Sequence, residues 1–395
     1  MGSKVAQIIK DTYPVYSKVN PLPDYVRNAC DKIINCRTEE LGGHADICEC
    51  GYVKAWYNSC KHRFCPVCSK IKSNEWVDAQ KEKFPKCDYY HIIFTIPEEL
   101  NRIFLDNKSV LTNLLFKAAN ETMEYFLQDD KWLGAKTGKC MVFQSWANNL
   151  SLHPHLHCLV TAGGIRDNNW IEPKNPEYLF PVKAAMPVFR AKLLTYVRNM
   201  FFNDIIEFNY DSLSFEILIN SLFEKRWNIF ILPKYSYADG VIIYLSRYVK
   251  GAPISDKRIT EITNKSVSFR YRYNKNGTSI KSIMTLKKEQ FLQRLLLHVP
   301  PPKQNYVRYY GIFHSSQIEN LNRCRLMFYQ EALRNNSNFD TTEKEILNDI
   351  LKDSKSLCPL CNKPLKKLVN LNKDKIIYYM KLSENKDPPV LKKAS

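Results

Sequence analysis

Apolar positions recur with two different periods along the chain and divide it into helices and strands. Spacings of three and four residues predict helices, at about 1–35, 71–83, 98–128, 183–224, 238–251 and 287–298. Runs rich in β-branched and aromatic residues predict strands, at 89–97, 139–147, 153–164, 227–233, 266–273 and 279–286. The last two strands flank a turn sequence and predict a hairpin. Because strands and helices do not alternate strictly, the pattern predicts an α+β fold with a largely antiparallel central sheet flanked by helices.

Three regions are expected in a chain of 395 residues, which is too long for one small core. Residues 1–86 are predicted to combine helices with a cysteine-rich, metal-binding module. Residues 87–299 hold most of the predicted strands and are expected to form the main α+β domain. A triple proline then opens a C-terminal basic region, 300–395, which carries a Cys-x-x-Cys pair.

The charge of the chain favours a nucleic-acid partner. Lysine and arginine number 58 against 40 acidic residues, a formal net charge of +18, and 23 Tyr, 20 Phe and 6 Trp are interleaved with them. Bases that contact phosphate, together with aromatic rings that stack on nucleobases, are typical of such proteins, although a biased genome composition would also enrich Lys and Tyr. No apolar run reaches the ~18 residues that span a bilayer, and no signal peptide is evident, so we expect a cytosolic protein without a membrane partner.

Ligand-type residues crowd into a short segment near the N-terminus. This segment contains Cys36, His44, Cys48, Cys50, Cys60, His62, Cys65 and Cys68. In a protein without an export signal, clustered cysteines indicate metal ligands rather than disulfides. Short-spaced pairs such as Cys65-Pro-Val-Cys68 are typical of tetrahedral zinc sites, so we predict one or two structural Zn²⁺ ions. A further pair, Cys358 and Cys361, lies in the C-terminal region and could complete a site.

Three of the eight histidines lie within five residues, in one predicted strand. Side chains alternate along a strand, so His153, His155 and His157 are expected on one face. Two neutral imidazoles at this spacing can bind one divalent ion. We expect the third ligand to be Gln144, on the preceding strand, with His91 or His153 as alternatives. Open positions on such an ion suit Mg²⁺ or Mn²⁺ bound to phosphate oxygens, although the same ligands could hold zinc in a hydrolase.

Two tyrosines follow at helical spacing. Tyr244 and Tyr248 are expected on one face of the predicted helix 238–251, with Arg247 and Lys250 close enough to hold a phosphate. A tyrosine hydroxyl is a weak nucleophile, but attack on a phosphate polarised by a metal gives a covalent phosphotyrosine. Packing is the ordinary role of such tyrosines, and the histidines are what make this pair a catalytic candidate.

Together these motifs resemble those of the HUH transposases of the insertion-sequence ninety-one family, rolling-circle transposases with two catalytic tyrosines. The matching stretches run in family order, from about Cys36 to Phe313, and are CRTEELGGH, YNSCKHRFCPVC, HIIFTIPEEL, LHPHLHCLV, YLSRYVKGAPIS, FLQRLLLHVP and VRYYGIF. The resemblance implies an N-terminal zinc-binding domain followed by an HUH endonuclease domain with a central antiparallel sheet.

The resemblance also implies roles for individual residues. In HUH, histidine–hydrophobic–histidine, the matching residues are His155, Leu156 and His157, and Tyr244 and Tyr248 match the paired nucleophiles. By this likeness the chain is a metal-dependent transposase of a bacterial mobile element. It would nick and rejoin single-stranded DNA at element ends and target through a 5′-phosphotyrosine intermediate, in the bacterial cytosol or nucleoid.

The chain departs from the family pattern in its metal-binding motifs. Cys48-Glu-Cys50 stands where the family usually has Cys-x-x-Cys, and Phe64 stands where it has a histidine, which makes His62 a candidate substitute. Gln144 stands where many relatives carry a histidine, as expected of a third ligand.

Two other functions stay open from the sequence. A plasmid or phage rolling-circle replication initiator or relaxase would use the same chemistry, but the cysteine module and the lack of a helicase P-loop motif favour a transposase. A non-catalytic, zinc-containing DNA- or RNA-binding protein would make the tyrosine pair and the histidines dispensable.

Overall fold

The predicted α+β architecture is confirmed in the computed structural model, which describes residues 3–175, 178–209, 211–236, 242, 253–275, 278–333 and 357–384. Within these residues the chain forms a central antiparallel sheet with helices around it. None of the helices in this part of the chain combines the length and the apolar character needed to cross a bilayer.

Helices and strands follow one another irregularly. The helices are α1 (Lys4–Val19), α2 (Asp24–Ile34), α3 (Pro66–Lys83), α4 (Asn101–Asp106), α5 (Lys108–Leu127), α6 (Val182–Phe202), α7 (Ser212–Glu224), α8 (Lys288–Leu296), α9 (Ile318–Met327) and α10 (Lys373–Glu384). The strands are β1 (Gly43–Ile47), β2 (Val53–Tyr57), β3 (Tyr89–Thr95), β4 (Gly138–Trp146), β5 (Leu152–Thr161), β6 (Gly164–Arg166), β7 (Asn169–Ile171), β8 (Ile229–Ile231), β9 (Ile259–Ile262), β10 (Ser266–Lys275), β11 (Thr278–Lys287), β12 (Val307–Gly311) and β13 (Lys366–Leu371). Every strand predicted from the sequence has a counterpart here, and so does every predicted helix except 238–251, which lies outside the described residues apart from Ile242.

The central sheet has five strands in the order β12–β4–β5–β3–β8, and each neighbouring pair is antiparallel. In its register Gln144 of β4 lies opposite His155 of β5, and Val142 lies opposite His157. On the other side of β5, His91 of β3 lies opposite Leu159. Directly paired residues share a face of a sheet, so all of these side chains project on the same side.

The opposite face of the sheet is buried under helices. Leu156 and Cys158 of β5 project there, are fully buried, and belong to a large apolar core with Phe143 of β4. The helices α5 and α6 supply the other side of this core, through residues such as Phe116 and Leu193. Because this face is packed throughout, β5 is held firmly, and its polar residues are confined to the other face.

A second sheet, β9–β10–β11, packs against helices near the N-terminus. Val267 and Phe269 of β10 are fully buried with residues of α1, α2 and α8. Cys65 and Cys68, at the start of α3, belong to the same core. The N-terminal helices, the hairpin sheet and the first part of the cysteine module therefore share one apolar core.

The two described strands after residue 300 belong to different sheets. β12 is the edge strand next to β4 in the central sheet. β13 pairs antiparallel with β1 and completes a three-stranded sheet, β13–β1–β2, on which α10 packs. In that small core Ile376 of α10 is fully buried with Ala45. The C-terminal strand and helix are thus built onto the N-terminal cysteine module.

Candidate metal centres

The histidine strand presents two buried imidazoles on the face of the central sheet opposite α5 and α6. His155 and His157 alternate with Leu156 along β5, and their exposed fractions are 7% and 4%. His153, two residues earlier on the strand, is partly exposed, with its ring centroid 4.9 Å from that of His155. The strand periodicity therefore places all three on one side, as expected, but buries only the last two.

Three polar atoms converge at this point. Nε2 of His157 lies 3.2 Å from Nε2 of His155 and 3.0 Å from Oε1 of Gln144. The other polar atoms of two of these side chains are occupied by main-chain carbonyls: Nδ1 of His155 is 2.6 Å from the carbonyl oxygen of His153, and Nε2 of Gln144 donates to that of Trp146 at 2.9 Å. A carbonyl only accepts, so these contacts point the lone pairs of His155 Nε2 and Gln144 Oε1 toward His157.

His91 lies behind His157, away from the point of convergence. Its Nε2 atom is 2.9 Å from Nδ1 of His157, and it is 1% exposed. The sequence allows His91 as an alternative third ligand. In the structure His91 instead contacts Nδ1 of His157, whereas His155 and Gln144 contact Nε2 of that ring. Gln144 is the side chain that contacts the near nitrogen, Nε2, of His157.

Burial keeps these imidazoles neutral. Desolvation is the largest cause, and it lowers the pKa of His155 to about 3, with the neighbouring His153 adding to the effect. The pKa of His157 is likewise held well below its usual value, by burial first and then by His155. Burial also lowers the pKa of His91 to about 4. Neutral imidazoles retain the lone pair that a metal ligand needs.

The spacing of the three atoms fits a divalent ion. Neighbouring ligands of an octahedral ion with bonds of about 2.1 Å lie about 3 Å apart, close to the separations measured from His157 to His155 and Gln144. Two imidazole nitrogens and an amide oxygen suit several divalent metals, and three protein ligands leave positions open for water or phosphate. The residues present therefore fit a catalytic metal site.

An open cleft of about 880 Å³ borders the histidines. One wall is the histidine face with the turn between β4 and β5, and the other is formed by residues 253–258 and β10. Lys257, Arg258 and Arg272 line it, and among its described lining residues there is no aspartate or glutamate. The cleft is therefore suited to an anionic ligand.

The tyrosine pair and its two basic neighbours lie outside the described residues: Tyr244, Arg247, Tyr248 and Lys250. Ile242, which is described, is fully buried in a cluster with Val142 and Leu159. Both of those residues lie on the histidine face, next to His157 along the sheet. The chain therefore reaches the histidine face two residues before Tyr244.

A first group of four cysteines comes from the N-terminal segment. The sulfur atoms of Cys36, Cys60, Cys65 and Cys68 all lie within 4.8 Å of one another, with 3.5 Å between Cys36 and Cys68. Thiolates about 2.3 Å from a tetrahedral zinc ion lie about 3.8 Å apart, so the group has the size of a zinc site. A side-chain hydrogen bond from Cys60 holds the pKa of the Cys65 thiol well below its usual range, which favours the thiolate that zinc requires.

A second group joins the two ends of the chain. The sulfur atoms of Cys48, Cys50, Cys358 and Cys361 also lie within 4.8 Å of one another, with 3.4 Å between Cys48 and Cys361 and 3.6 Å between Cys50 and Cys358. The C-terminal Cys-x-x-Cys pair was a visible signal in the sequence. Only the fold shows that its partners are Cys48 and Cys50.

The two histidines of the cysteine module do not join either group. The ring of His44 stacks on Trp56 with 5.2 Å between centroids, and its Nδ1 atom is 3.3 Å from Oδ1 of Asn58. Nδ1 of His62 accepts a hydrogen bond from the backbone of Phe64 at 3.3 Å. Phe64, which stands where the family has a histidine, is 3% exposed and packs in the core. Both four-membered groups found among the described residues consist of cysteines alone.

Comparison with known proteins agrees with this organisation. Residues 138–320 match a family model described as "Putative transposase", and residues 8–96 match one described as "Transposase zinc-binding domain". No solved structure matches the chain. The first match contains Gln144 and the histidine strand, and the second contains all six cysteines of the N-terminal segment.

Two curated relatives align along most of the chain. A protein of Sinorhizobium fredii named "Putative transposase y4qJ" is 32% identical over 336 residues, 82% of this chain and 84% of its own length. The transposase for insertion sequence element IS801, from Pseudomonas savastanoi pv. phaseolicola, is 28% identical over 293 residues, 71% of this chain and 68% of its own. With its transposase domain, its zinc-binding domain and these relatives, the chain belongs to the insertion-sequence ninety-one (IS91) family of transposases, DNA-processing enzymes of mobile elements.

Proposed function

We propose that this transposase nicks and rejoins single-stranded DNA at the ends of its element through a 5′-phosphotyrosine intermediate, as in rolling-circle transposition. The observation that carries the proposal is the convergence of His155 Nε2, His157 Nε2 and Gln144 Oε1 beside a cleft whose described lining carries cations and no carboxylate. A site of this composition can bind a divalent ion and a phosphate together, which is what cleavage of a phosphodiester requires.

The proposed reaction exchanges one phosphodiester for another. The hydroxyl of Tyr244 or Tyr248 loses its proton, its oxygen forms a bond to the scissile phosphorus, and the bond from phosphorus to the 3′ oxygen breaks. The released 3′ oxygen takes up a proton and becomes a free 3′-hydroxyl. Attack of a 3′-hydroxyl on the phosphotyrosine reverses these steps and joins strands, so no outside energy source is needed.

The metal-binding residues are His155, His157 and Gln144 in this proposal. When Mg²⁺ or Mn²⁺ is bound, it withdraws electron density from the phosphate and stabilises the charge of the transition state. Contacts within the protein fix the orientation of these ligand side chains before a metal binds. The His153 carbonyl fixes the ring of His155, the Trp146 carbonyl fixes the amide of Gln144, and His91 contacts the far side of His157.

The position of Ile242 supports the assignment of the tyrosines. Ile242 packs with Val142 and Leu159 on the histidine face. Tyr244 follows Ile242 by two residues in the sequence, and we assign it the attack on a phosphate bound at the histidines. A second tyrosine four residues later would allow donor and target strands to be handled in succession, with Arg247 and Lys250 available to bind phosphate.

Each cysteine group is proposed to bind one structural zinc ion. Four thiols close a tetrahedral shell and leave no position for substrate. The first site comprises Cys36, Cys60, Cys65 and Cys68, and the second comprises Cys48, Cys50, Cys358 and Cys361. The predicted number of zinc ions is therefore two.

A covalent-adduct assay tests the catalytic proposal. The protein is incubated with Mn²⁺ and single-stranded oligonucleotides from both ends of its element, labelled at the 3′ end so that the label stays on the fragment joined to tyrosine. We expect a labelled protein band on a denaturing gel. The band should be lost in Tyr244→Phe/Tyr248→Phe and in His155→Ala/His157→Ala, and should be retained in Tyr378→Phe, which alters an exposed tyrosine on α10. If wild type forms no band, or the double tyrosine variant forms it equally well, the proposed mechanism is wrong.

A further inference from the structure

The wall of the cleft that faces the histidines carries an unassigned pair of stacked tyrosines. Tyr271 and Tyr273 are two residues apart on β10, so they lie on one face of the strand. Their ring centroids are 5.8 Å apart, with 27° between ring planes. Both residues line the cleft that contains His155 and His157.

The same face of β10 changes its environment along the strand. Val267 and Phe269 lie on it and are fully buried in the core with α8. Tyr271 is half-buried at the edge of that core, and Tyr273 is 42% exposed. The apolar face of the strand therefore continues out of the core into the cleft, where its last ring is open to a ligand.

Basic groups accompany the two rings. Lys257 lines the same wall and is exposed, whereas Arg272, between the two tyrosines on β10, projects on the opposite face of the strand. Arg258 also lines it, but its guanidinium is used in the structure: Nε donates to the Arg270 carbonyl at 2.9 Å and Nη2 donates to the Asn148 carbonyl. Lys257 is thus the cation of this wall best placed to contact phosphate, beside an aromatic surface.

The two walls of the cleft are tied to each other. Arg258 joins the hairpin sheet to Asn148, and Arg294 of α8 donates to the Asn149 carbonyl at 3.1 Å. His298 contacts the carbonyl of the next residue, Leu150, at 3.2 Å. These contacts hold the turn that leads from β4 into the histidine strand, so the position of the tyrosines relative to the histidines is set by the fold.

We infer that Tyr271, Tyr273 and Lys257 form a binding platform for single-stranded DNA next to the scissile phosphate, with at least one base stacked on Tyr273. Aromatic rings bind any unpaired base by its face, and nearby cations bind the backbone. A duplex hides its base faces, so this platform selects the unpaired strand. The inference deepens the proposed function, on which it rests for the location of the scissile phosphate.

Fluorescence anisotropy with a labelled single-stranded oligonucleotide tests the platform. Binding is measured without added divalent ion, so that cleavage does not interfere, and without chelator, so that bound zinc is retained. We expect Tyr273→Ala to weaken binding about five- to 100-fold, which is the range for the loss of one stacked base. Tyr273→Leu, which keeps apolar contacts within the hairpin but has no ring, should lose as much, whereas Tyr273→Phe should bind within twofold of wild type.

Charge and strand selectivity provide two further measurements. Lys257→Gln should reduce the slope of log affinity against log salt by about 0.7, the value for one phosphate contact on a single strand. Tyr378→Ala, at an exposed tyrosine remote in sequence from the cleft, should bind as wild type does. A duplex of the same sequence should show little change with Tyr273→Ala.

The outcomes separate this inference from the proposed function. If Tyr273→Ala binds the single strand as wild type does, or weakens duplex binding equally, the platform is wrong even when the covalent adduct forms. If the platform variants lose binding but wild type forms no adduct with Mn²⁺, the binding surface stands and the phosphotyrosine mechanism fails.

Discussion

His91 and His157 touch through their rings, with Nε2 of His91 2.9 Å from Nδ1 of His157. A metal bound at Nε2 of His157 requires the proton of that ring at Nδ1, where Nε2 of His91 accepts it. A partner of this kind orients a ligating imidazole and raises its basicity. With a metal bound there as proposed, His91 would set the tautomer of His157 through this contact.

Replacing His91 is therefore expected to weaken metal binding without removing a ligand. His91→Leu should reduce the affinity for Mn²⁺ by about 10- to 100-fold, measured by calorimetric titration of zinc-loaded protein. His314→Leu, at an exposed histidine remote in sequence from the site, is the matched control and should bind Mn²⁺ normally. An unchanged affinity in His91→Leu would show that His91 only fills space beside His157.

Removing one thiol of the second cysteine group should release the C-terminal segment. Cys361→Ser is expected to lower the zinc content from two ions per chain to one, because three thiols bind zinc less tightly than four. β13 and α10 should then be cut by protease sooner than in wild type, since the proposed ion would link Cys358 and Cys361 to Cys48 and Cys50.

Metal analysis and limited proteolysis with mass spectrometry check this prediction. Cys324→Ala is the control, because Cys324 is buried in another core and belongs to neither group. Two zinc ions retained in Cys361→Ser, with unchanged protease resistance, would argue against a metal link between the chain ends.

The third prediction concerns the contribution of a buried lysine in the central sheet to stability. Lys139 of β4 is 1% exposed and forms an ion pair with Glu124 of α5, which is 29% exposed. Glu124→Gln leaves the ammonium buried without its carboxylate and should lower the free energy of unfolding by about 3 kcal/mol. Lys139→Met replaces the buried charge with an apolar side chain, and the partly exposed Glu124 can then be hydrated. This variant should therefore lower the free energy of unfolding much less than Glu124→Gln does. Urea unfolding measures the free energy of unfolding of both variants. Equal decreases in the two variants would contradict the prediction.

The stability of the protein should also depend on His298. Burial is the largest cause that lowers its pKa, to about 4, and Lys108 adds to the effect. Its Nδ1 atom is 3.1 Å from Ser145 Oγ, and Nε2 contacts the Leu150 carbonyl, an arrangement for the neutral ring. The unfolded state binds a proton below about pH 6.5, whereas the folded state does so only near pH 4.

The stabilisation from neutral His298 is therefore complete above about pH 6.5 and is lost as the pH falls through about 4. Relative to His298→Leu, wild type should lose roughly 3 kcal/mol of stability over that interval, measured by urea unfolding at several pH values. Comparing the two proteins cancels the contribution of the other buried histidines. If the stability of wild type and that of His298→Leu changed in parallel with pH, the pKa of His298 would be the same in the folded and unfolded states, and the prediction would be wrong.

Periodicity predicted the strands that build the histidine site. The apolar alternation around Leu156 sends His155 and His157 to one face, and the neighbouring strand predicted from the sequence does pair with β5, which brings Gln144 opposite His155. These contacts are local in the sheet and follow from the two-residue repeat of a strand. His153 obeys the same repeat, but its partial exposure depends on how the cleft opens near the end of the strand, which no repeat encodes.

The sequence by itself determined the elements, the ligand-type residues and the family motifs, because helix and strand periods and short-spaced cysteine pairs are properties of neighbouring residues. Only the tertiary structure decided which distant groups meet. It placed Cys358 and Cys361 with Cys48 and Cys50, put His91 against Nδ1 of His157, and brought Tyr273 into the same cleft as the histidines. Contacts between residues far apart in the sequence require long segments of the chain to be closed into loops, which costs conformational entropy. That cost is offset by the burial of apolar faces of helices and sheets, which no local pattern specifies.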